Sequence, residues 1–329
     1  MTLNSTDRLN IDGLLNKNGT NADGGTSYNL SAEDDWATGA TAADDISDIS
    51  GNAITVANVD TLIGWEQLYA TITGSDRQGY SIALADDGQT IILGSTLHNS
   101  QRGRTQIYQL SGDTWGKVAG DIAGESSSDQ SGKSVAISSD GSIVAIGAQL
   151  NDGNGADSGH VRIYQLNGGS WQNIQEIDGD AAGDESGNSV CLSDDGSILA
   201  IGSHKAAGGG TEQGTVRIYQ RNDSNQWIKI GNTINGKGHV GHNSKGIALS
   251  GDGTTIALGH WESADVEIYR FIDNDWVRVG NQIEGVWGTR AGFAVSLSRD
   301  GRTVAIGAAY GHQVGGSGAT NAHGQVNVY

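Results

Sequence analysis

Ser134-Val-Ala-Ile-Ser-Ser-Asp-Gly-Ser-Ile-Val-Ala-Ile-Gly-Ala148 decides the fold, because the chain carries this pattern five times. The other copies begin at Ser81, Ser189, Gly246 and Ala294. Each has an Asp-Gly pair (Asp87, Asp140, Asp195, Asp252, Asp300), then a Gly closing an apolar run (Gly94, Gly147, Gly202, Gly259, Gly307). Successive Asp-Gly pairs lie 53, 55, 57 and 48 residues apart. A unit of this length cannot bury its apolar face alone, so the copies must stack on a shared core.

Each unit holds four short strand signals. In the second copy they are Ser134 to Ser138, Ile143 to Ala148, Val161 to Leu166, and a run starting at Trp171 that passes through Ile174 and Ile177. β-Branched and aromatic residues fill these runs, and Gly, Asn, Asp and Ser bound them. The second run is apolar on both faces, as in a strand sandwiched between neighbouring sheets. Four strands per unit, repeated radially, predict an all-β fold, a five-bladed β-propeller of four-stranded blades. The last copy stops at Tyr329, inside its third strand. Its missing fourth strand is predicted at Trp65-Glu-Gln-Leu-Tyr-Ala-Thr-Ile-Thr-Gly74, which matches Trp115 to Gly124 and Trp276 to Gly285. An N-terminal strand in that place closes the ring and removes an open edge. The propeller is therefore expected over residues 64–329, preceded by an irregular arm over residues 1–63.

Gly292-Phe-Ala-Val, Ala305-Ile-Gly-Ala308 and Gly324-Gln-Val-Asn-Val-Tyr329, with their counterparts in the other copies, resemble the FG-GAP repeat. This is the propeller repeat of integrin α-chains and many bacterial surface proteins, and the resemblance implies a surface role. The family's calcium loop has several acidic residues between strands one and two. Here that link is a tight turn such as Ser138-Ser-Asp-Gly141. Such a turn cannot wrap the six or more oxygens that Ca²⁺ takes, so no metal site is carried over.

The formal charge is −19, with 19 Lys and Arg against 38 Asp and Glu. Nucleic acid is excluded as a partner, because phosphate binding needs a basic face. An acidic surface suits salty or extracellular settings. The one Cys, Cys191, stands where the second copy has Ala136, so it reads as a small core residue and forms no intramolecular disulfide. No apolar stretch approaches the ~20 residues of a membrane span. The opening residues lack the basic-then-apolar pattern of a secretory leader. Export by another route or release in a virion is the expected localisation: extracellular, cell surface or virion. Residues 1–63 are rich in Asn, Asp, Gly, Thr and Ala, a composition that folds marginally and suits contact with a larger assembly or with further copies of the chain.

Alternating strand direction sorts the links onto two faces. Links from strand one to two and from three to four are short. Those from two to three, and from blade to blade, are longer: Thr96–Arg104, Gln149–Gly159, His204–Gly214, Ala309–His323, Glu125–Ser131 and Asn235–Asn243. Binding residues usually sit on long loops held by a rigid scaffold, so this face is the candidate. All eight His map to it or its border: His98, His160, His204, His239, His242, His260, His312 and His323. A metal or pH-sensitive site is one reading. Only His239 and His242 are close in sequence, which favours ordinary polar loops.

Trp65, Trp115, Trp171, Trp227 and Trp276 recur at one position and read as blade packing. Trp261 and Trp287 fall outside the repeat, on the candidate face, with His260 and Arg290 beside them in sequence. A flat indole with an N–H handle suits stacking on a sugar or anchoring a protein. It equally suits filling the channel mouth. Trp261, Trp287, His260, Arg290 and His242 are the candidate ligand-binding residues. The first strands carry no Asp or Glu, whereas glycoside hydrolysis needs two carboxylates across the scissile bond. No serine-hydrolase elbow, zinc-protease motif or phosphate loop is present. The polar loop residues do not recur from blade to blade, which argues against five equivalent lectin sites. The expectation is a non-enzymatic recognition or structural module without cofactor, binding a glycan or surface protein. The alternatives are a glycan-active enzyme or an assembly subunit with no ligand.

Overall fold

The computed structural model describes residues 71–207, 213–237, 240, 246–285, 290–309 and 324–329. Blade 1 comprises β1 (Gln78–Leu84), β2 (Thr90–Ser95), β3 (Arg104–Ser111), β4 (Thr114–Lys117) and β5 (Ile122–Ala123). Blade 2 has β6 (Ser134–Ile137), β7 (Ile143–Ala148), β8 (His160–Asn167) and β9 (Ser170–Asp178). Blade 3 has β10 (Ser186–Leu192), β11 (Ile198–Ser203), β12 (Thr215–Arg221), β13 (Trp227–Lys229) and β14 (Ile234–Asn235). Blade 4 has β15 (Ile247–Leu249), β16 (Thr255–His260), β17 (Asp265–Ile272), β18 (Asp275–Arg278) and β19 (Ile283–Glu284). Blade 5 has β20 (Ala291–Leu297), β21 (Val304–Ala308) and β22 (Gln325–Val328). Strands pair antiparallel in chain order within each sheet, which makes the unit a five-bladed β-propeller. Of the segment expected to close blade 5, residues 65–70 lie outside the described residues, and 71–74 carry no strand assignment.

Among the described residues the fourth strand is whole only in blade 2. In blades 1, 3 and 4 it breaks into two pieces that both pair with the third strand. The spacing explains this. Blade 2 has six steps from Trp171 to Ile177, whereas Trp115 to Ile122, Trp227 to Ile234 and Trp276 to Ile283 have seven. The longer spans carry a residue in the left-handed region at the break: Ala119 (φ 63°), Gly231 (φ 66°) and Gly280 (φ 72°). Positive φ turns the strand out of the ladder for one step and lets it re-enter.

The core lies between blades. In β11, Leu199 and Ile201 pack toward blade 2, and Ile198 and Ala200 pack toward blade 4. This is the two-sided burial expected of the second strand. The blade tryptophans reach backwards. Trp227 joins the cluster of blades 2 and 3, and Trp276 joins that of blades 3 and 4. Trp171 packs on the cluster of blades 1 and 2.

Three of the glycines that close second strands, Gly94, Gly147 and Gly259, lie against the start of the next blade's first strand. A Cβ at Gly94, Gly147 or Gly259 would overlap the carbonyl oxygen of Gly132, Gly187 or Gly292. Ser81 and Ser134 donate their hydroxyls to the first two of those carbonyls, both at 2.8 Å. The repeated Gly is thus the sequence trace of close backbone approach.

Within the Asp-Gly turns the aspartate carboxylate bonds to its own neighbours. Asp252 Oδ1 accepts from Ser250 Oγ (2.7 Å), Thr254 N (3.0 Å) and Thr254 Oγ1 (2.9 Å). Asp140, Asp195 and Asp300 accept from the hydroxyl two residues earlier and the amide two residues later in the same way. The Ser250 hydroxyl above all holds the Asp252 carboxyl below its ordinary 3.8, against a smaller opposing effect of burial. A depressed carboxylate contributes stability above its unfolded pKa and loses it as pH falls through the folded value. Asp252→Asn is therefore expected to destabilise at neutral pH by no more than about 1 kcal/mol, because solvent screens the exposed turn. The deficit shrinks below pH 3.8, which thermal melts of both chains across pH will measure.

Candidate functional site

The candidate residues centre on the turn between β16 and β17. His260, the last residue of β16, is completely buried. Its Nδ1 accepts the Lys237 amide at 3.2 Å. Its Nε2 faces Glu267 Oε2 at 3.5 Å and Asp265 Oδ1 at 4.0 Å. Trp261 follows in the turn and is half-buried. The Arg290 guanidinium lies over its ring, 4.7 Å from the centroid, a cation–π stack that joins blade 4 to the start of blade 5. Arg290 takes a positive φ of 56° immediately before β20. Trp287 and His242 lie outside the described residues. The structure thus brings Trp261 and Arg290 together and places His260 in the interior behind them.

Sequence reading missed the group beside this turn. Glu267 is buried, and it accepts from Lys237 Nζ (2.5 Å), Arg278 (2.8 Å) and Tyr269 Oη (2.9 Å). The His260 contact contributes most to holding its carboxyl far below the usual range; Lys237 and Arg278 add to it against the opposing pull of burial. Burial first, then the Glu267 carboxylate, pushes the Tyr269 hydroxyl above its ordinary range. Lys237 also donates to Gln282 Oε1 at 2.7 Å. A cleft of about 510 Å³ opens here, lined by Arg278, Asn281, Gln282 and Glu284. The signal was a change of sign. The second residue of the Val-x-Ile-Tyr motif is Arg162 in blade 2, Arg217 in blade 3 and Glu267 in blade 4. Arg162 donates to Ala123 O (2.7 Å) and Ser131 Oγ (3.1 Å). Arg217 donates to Asp178 O (3.0 Å) and Ser186 Oγ (2.9 Å). In blade 4 the acid takes that place and the preceding link supplies Lys237 as its cation.

The other described histidines lie in the same kind of setting. His160 and His204 are buried; burial above all lowers the His160 pKa. His204 Nε2 stands 3.4 Å from Glu185, and His98 Nδ1 stands 3.0 Å from Asp76. His239, His312 and His323 lie outside the described residues. Among the described residues no group of three or more His, Cys, Asp or Glu is placed to hold a metal ion. Cys191 is half-buried and directs its Sγ at the Ile247 carbonyl, 3.2 Å away in blade 4.

Two of the blade-to-blade links fold alike. The links at 124–131 and 179–186 each close on a carboxylate: Ser126 N donates to Asp129 (2.8 Å), and Ala181 N donates to Asp184 (2.9 Å). Their spacing matches although their residues mostly do not. The links from second to third strand on this face do not repeat: residues 261–264 make the link in blade 4, against 149–159 in blade 2.

No family model matches the sequence, and no curated protein matches it. Among solved structures the fold is similar to that of a functionally unknown protein from Desulfotomaculum acetoxidans, with TM-score 0.51, 17% identity and coverage of 71% of this chain and 64% of that one. It is similar to a candidate 6-phosphogluconolactonase from Bacteroides uniformis, with TM-score 0.50, 12% identity and coverage of 70% and 64%. A periplasmic gluconolactonase from Pseudomonas aeruginosa follows, with TM-score 0.47, 15% identity and coverage of 69% and 64%. This chain spans less than two thirds of the length of each. At such identities the likeness bears on fold alone, and the fold is that of the β-propeller proteins.

Proposed function

We propose that this chain is a non-catalytic recognition module of the FG-GAP type, which binds a glycan or a surface protein through the face carrying Trp261 and Arg290. The observation that carries the reading is the Trp261–Arg290 stack. Unlike the Arg162–Tyr164 and Arg217–Tyr219 pairs, which recur at one strand position, it joins two residues outside the repeat, on the candidate face. Guanidinium over indole fixes the ring in one orientation and limits the entropy lost on binding. The absence of Asp and Glu from the first strands supports a binding role over hydrolysis. The net charge of −19 supports display outside the cell or on a virion. Residues 1–63 have the composition of a segment that contacts a larger assembly, and they tether the propeller in this reading.

The test is a glycan array and a cell-surface protein panel probed with the full chain. Trp261→Ala and Arg290→Ala are each expected to weaken the recognised ligand at least about tenfold, which is about 1.4 kcal/mol. Losing the stack should cost about 0.5–1 kcal/mol of stability, and Trp261→Ala more through lost packing of the half-buried indole, so a thermal melt of each variant first shows that it is folded at the assay temperature. Unchanged binding by folded variants overturns the reading.

A further inference from the structure

On the opposite face the Asp-Gly turns of all five blades are linked to one another. The residue before each pair is Asp86, Ser139, Asp194, Gly251 and Arg299 in blades 1 to 5. Four backbone hydrogen bonds connect these residues in order. Asp86 N donates to Ser139 O (3.2 Å), Ser139 N to Asp194 O (2.7 Å), Asp194 N to Gly251 O (2.8 Å), and Gly251 N to Arg299 O (2.8 Å). The step from blade 5 back to blade 1 is made by a side chain. The Arg299 guanidinium stands 2.5 Å from the Asp86 carboxylate and also bonds the Asp194 carboxylate. It reaches Ser139 Oγ at 3.4 Å, and that hydroxyl donates to Asp86 Oδ2 at 2.8 Å. One side chain therefore touches blades 1, 2 and 3 from blade 5.

Blade 4 contributes room. A Cβ at Gly251 would overlap the Asp194 carboxylate and the Arg299 Cγ. Gly251 is not among the glycines with positive φ, so its backbone is open to any residue and the missing side chain serves the arginine. Without the guanidinium, Asp86 and Asp194 would face one another across the hub as like charges.

We propose that Arg299 is the clasp of the ring: the link between the last and first blades at the hub, which replaces a backbone hydrogen bond and depends on the cleared path over Gly251. Four blade junctions then close through the main chain and the fifth through charge. The clasp makes the first and last blades the pair whose docking responds to salt, since ion pairs on an open face are screened.

Native-state hydrogen exchange of the full chain tests this, because it reads stability element by element. In Arg299→Ala, the amides of β1, β20 and β21 are expected to exchange at least about tenfold faster, while those of β7, β11 and β16 stay within about twofold. Gly251→Ala, which removes no charge, is expected to give the same pattern, and the double variant to be no worse than the more affected single one, as for two changes to one interaction. Arg299→Lys keeps the charge but cannot span three partners, so it should fall between. Uniform acceleration over all five blades, no acceleration in β1, or additive effects of the two substitutions would overturn the clasp.

Discussion

Gly147→Val should fail to give a native chain, with little soluble protein and no cooperative melt. Gly147 sits near the end of β7, and a side chain there would enter the space of the Gly187 carbonyl oxygen and the Ser134 hydroxyl. Neither can step aside cheaply. The Ser134 hydroxyl donates to that same carbonyl, and the Gly147 carbonyl accepts from Gly132 N at 3.0 Å and Lys133 N at 3.2 Å. Overpacking a side chain into a core usually costs about 1–3 kcal/mol. Here the clash is with main chain in an interface whose geometry recurs at Gly94 and Gly259, so relaxation must move a whole blade. The expected loss exceeds about 3 kcal/mol, a large part of the 5–15 kcal/mol that a domain has. Gly120→Ala is the control. Gly120 is exposed, outside the positive-φ set and without a neighbour near its would-be Cβ, so the variant should melt within about 0.5 kcal/mol of the parent. Similar melts for Gly147→Val and the parent would mean the blades are not packed at this distance.

Leu199→Ala is the second large effect. Leu199 is fully buried in the cluster shared by blades 2 and 3, with Ile143, Ile163, Ile201 and Trp227. Truncation removes transfer energy and leaves a hole that two sheets can close only by moving toward each other. The expected cost is about 2–5 kcal/mol in urea unfolding. Ile82→Ala supplies the contrast. Ile82 lies on the first strand of blade 1 and is 49% exposed, so its truncation should cost below about 1 kcal/mol. Equal costs at the two sites would contradict the burial of the second strand.

The repeat made much of this architecture legible. Five Asp-Gly pairs, the closing glycines and the recurring tryptophans state the blade count, the turn and the interface, because each is a local requirement printed once per blade. The broken fourth strand was also in the sequence, as seven residues from Trp to Ile rather than six, with Ala119, Gly231 and Gly280 marking the break. The candidate site was less legible. Trp261 stood out by failing to repeat and Arg290 by its place beside Trp287, and Trp261 and Arg290 meet. His260 looked like a loop residue, yet it is buried because the Lys237 amide and the Glu267 carboxylate close over it from elements 23 and 7 residues away. Glu267 itself hides inside a strand motif, where only comparison with Arg162 and Arg217 shows the reversed charge. Arg299 was hidden for the same reason: its importance arises from residues 105 and 160 positions distant. Partners brought together by ring geometry leave no mark in a local window.

The buried clusters have one further consequence. Each is built from two adjacent blades, and Trp171, Trp227 and Trp276 each pack on the cluster shared with the blade before their own. The repeat copied along the chain is thus not the smallest object that can hold itself together. A single copy cut out and expressed would present two raw apolar sides and no interior. Lengthening the array by one copy would add a complete new seam, while the charged centre, whose members differ from copy to copy, would have to be chosen afresh.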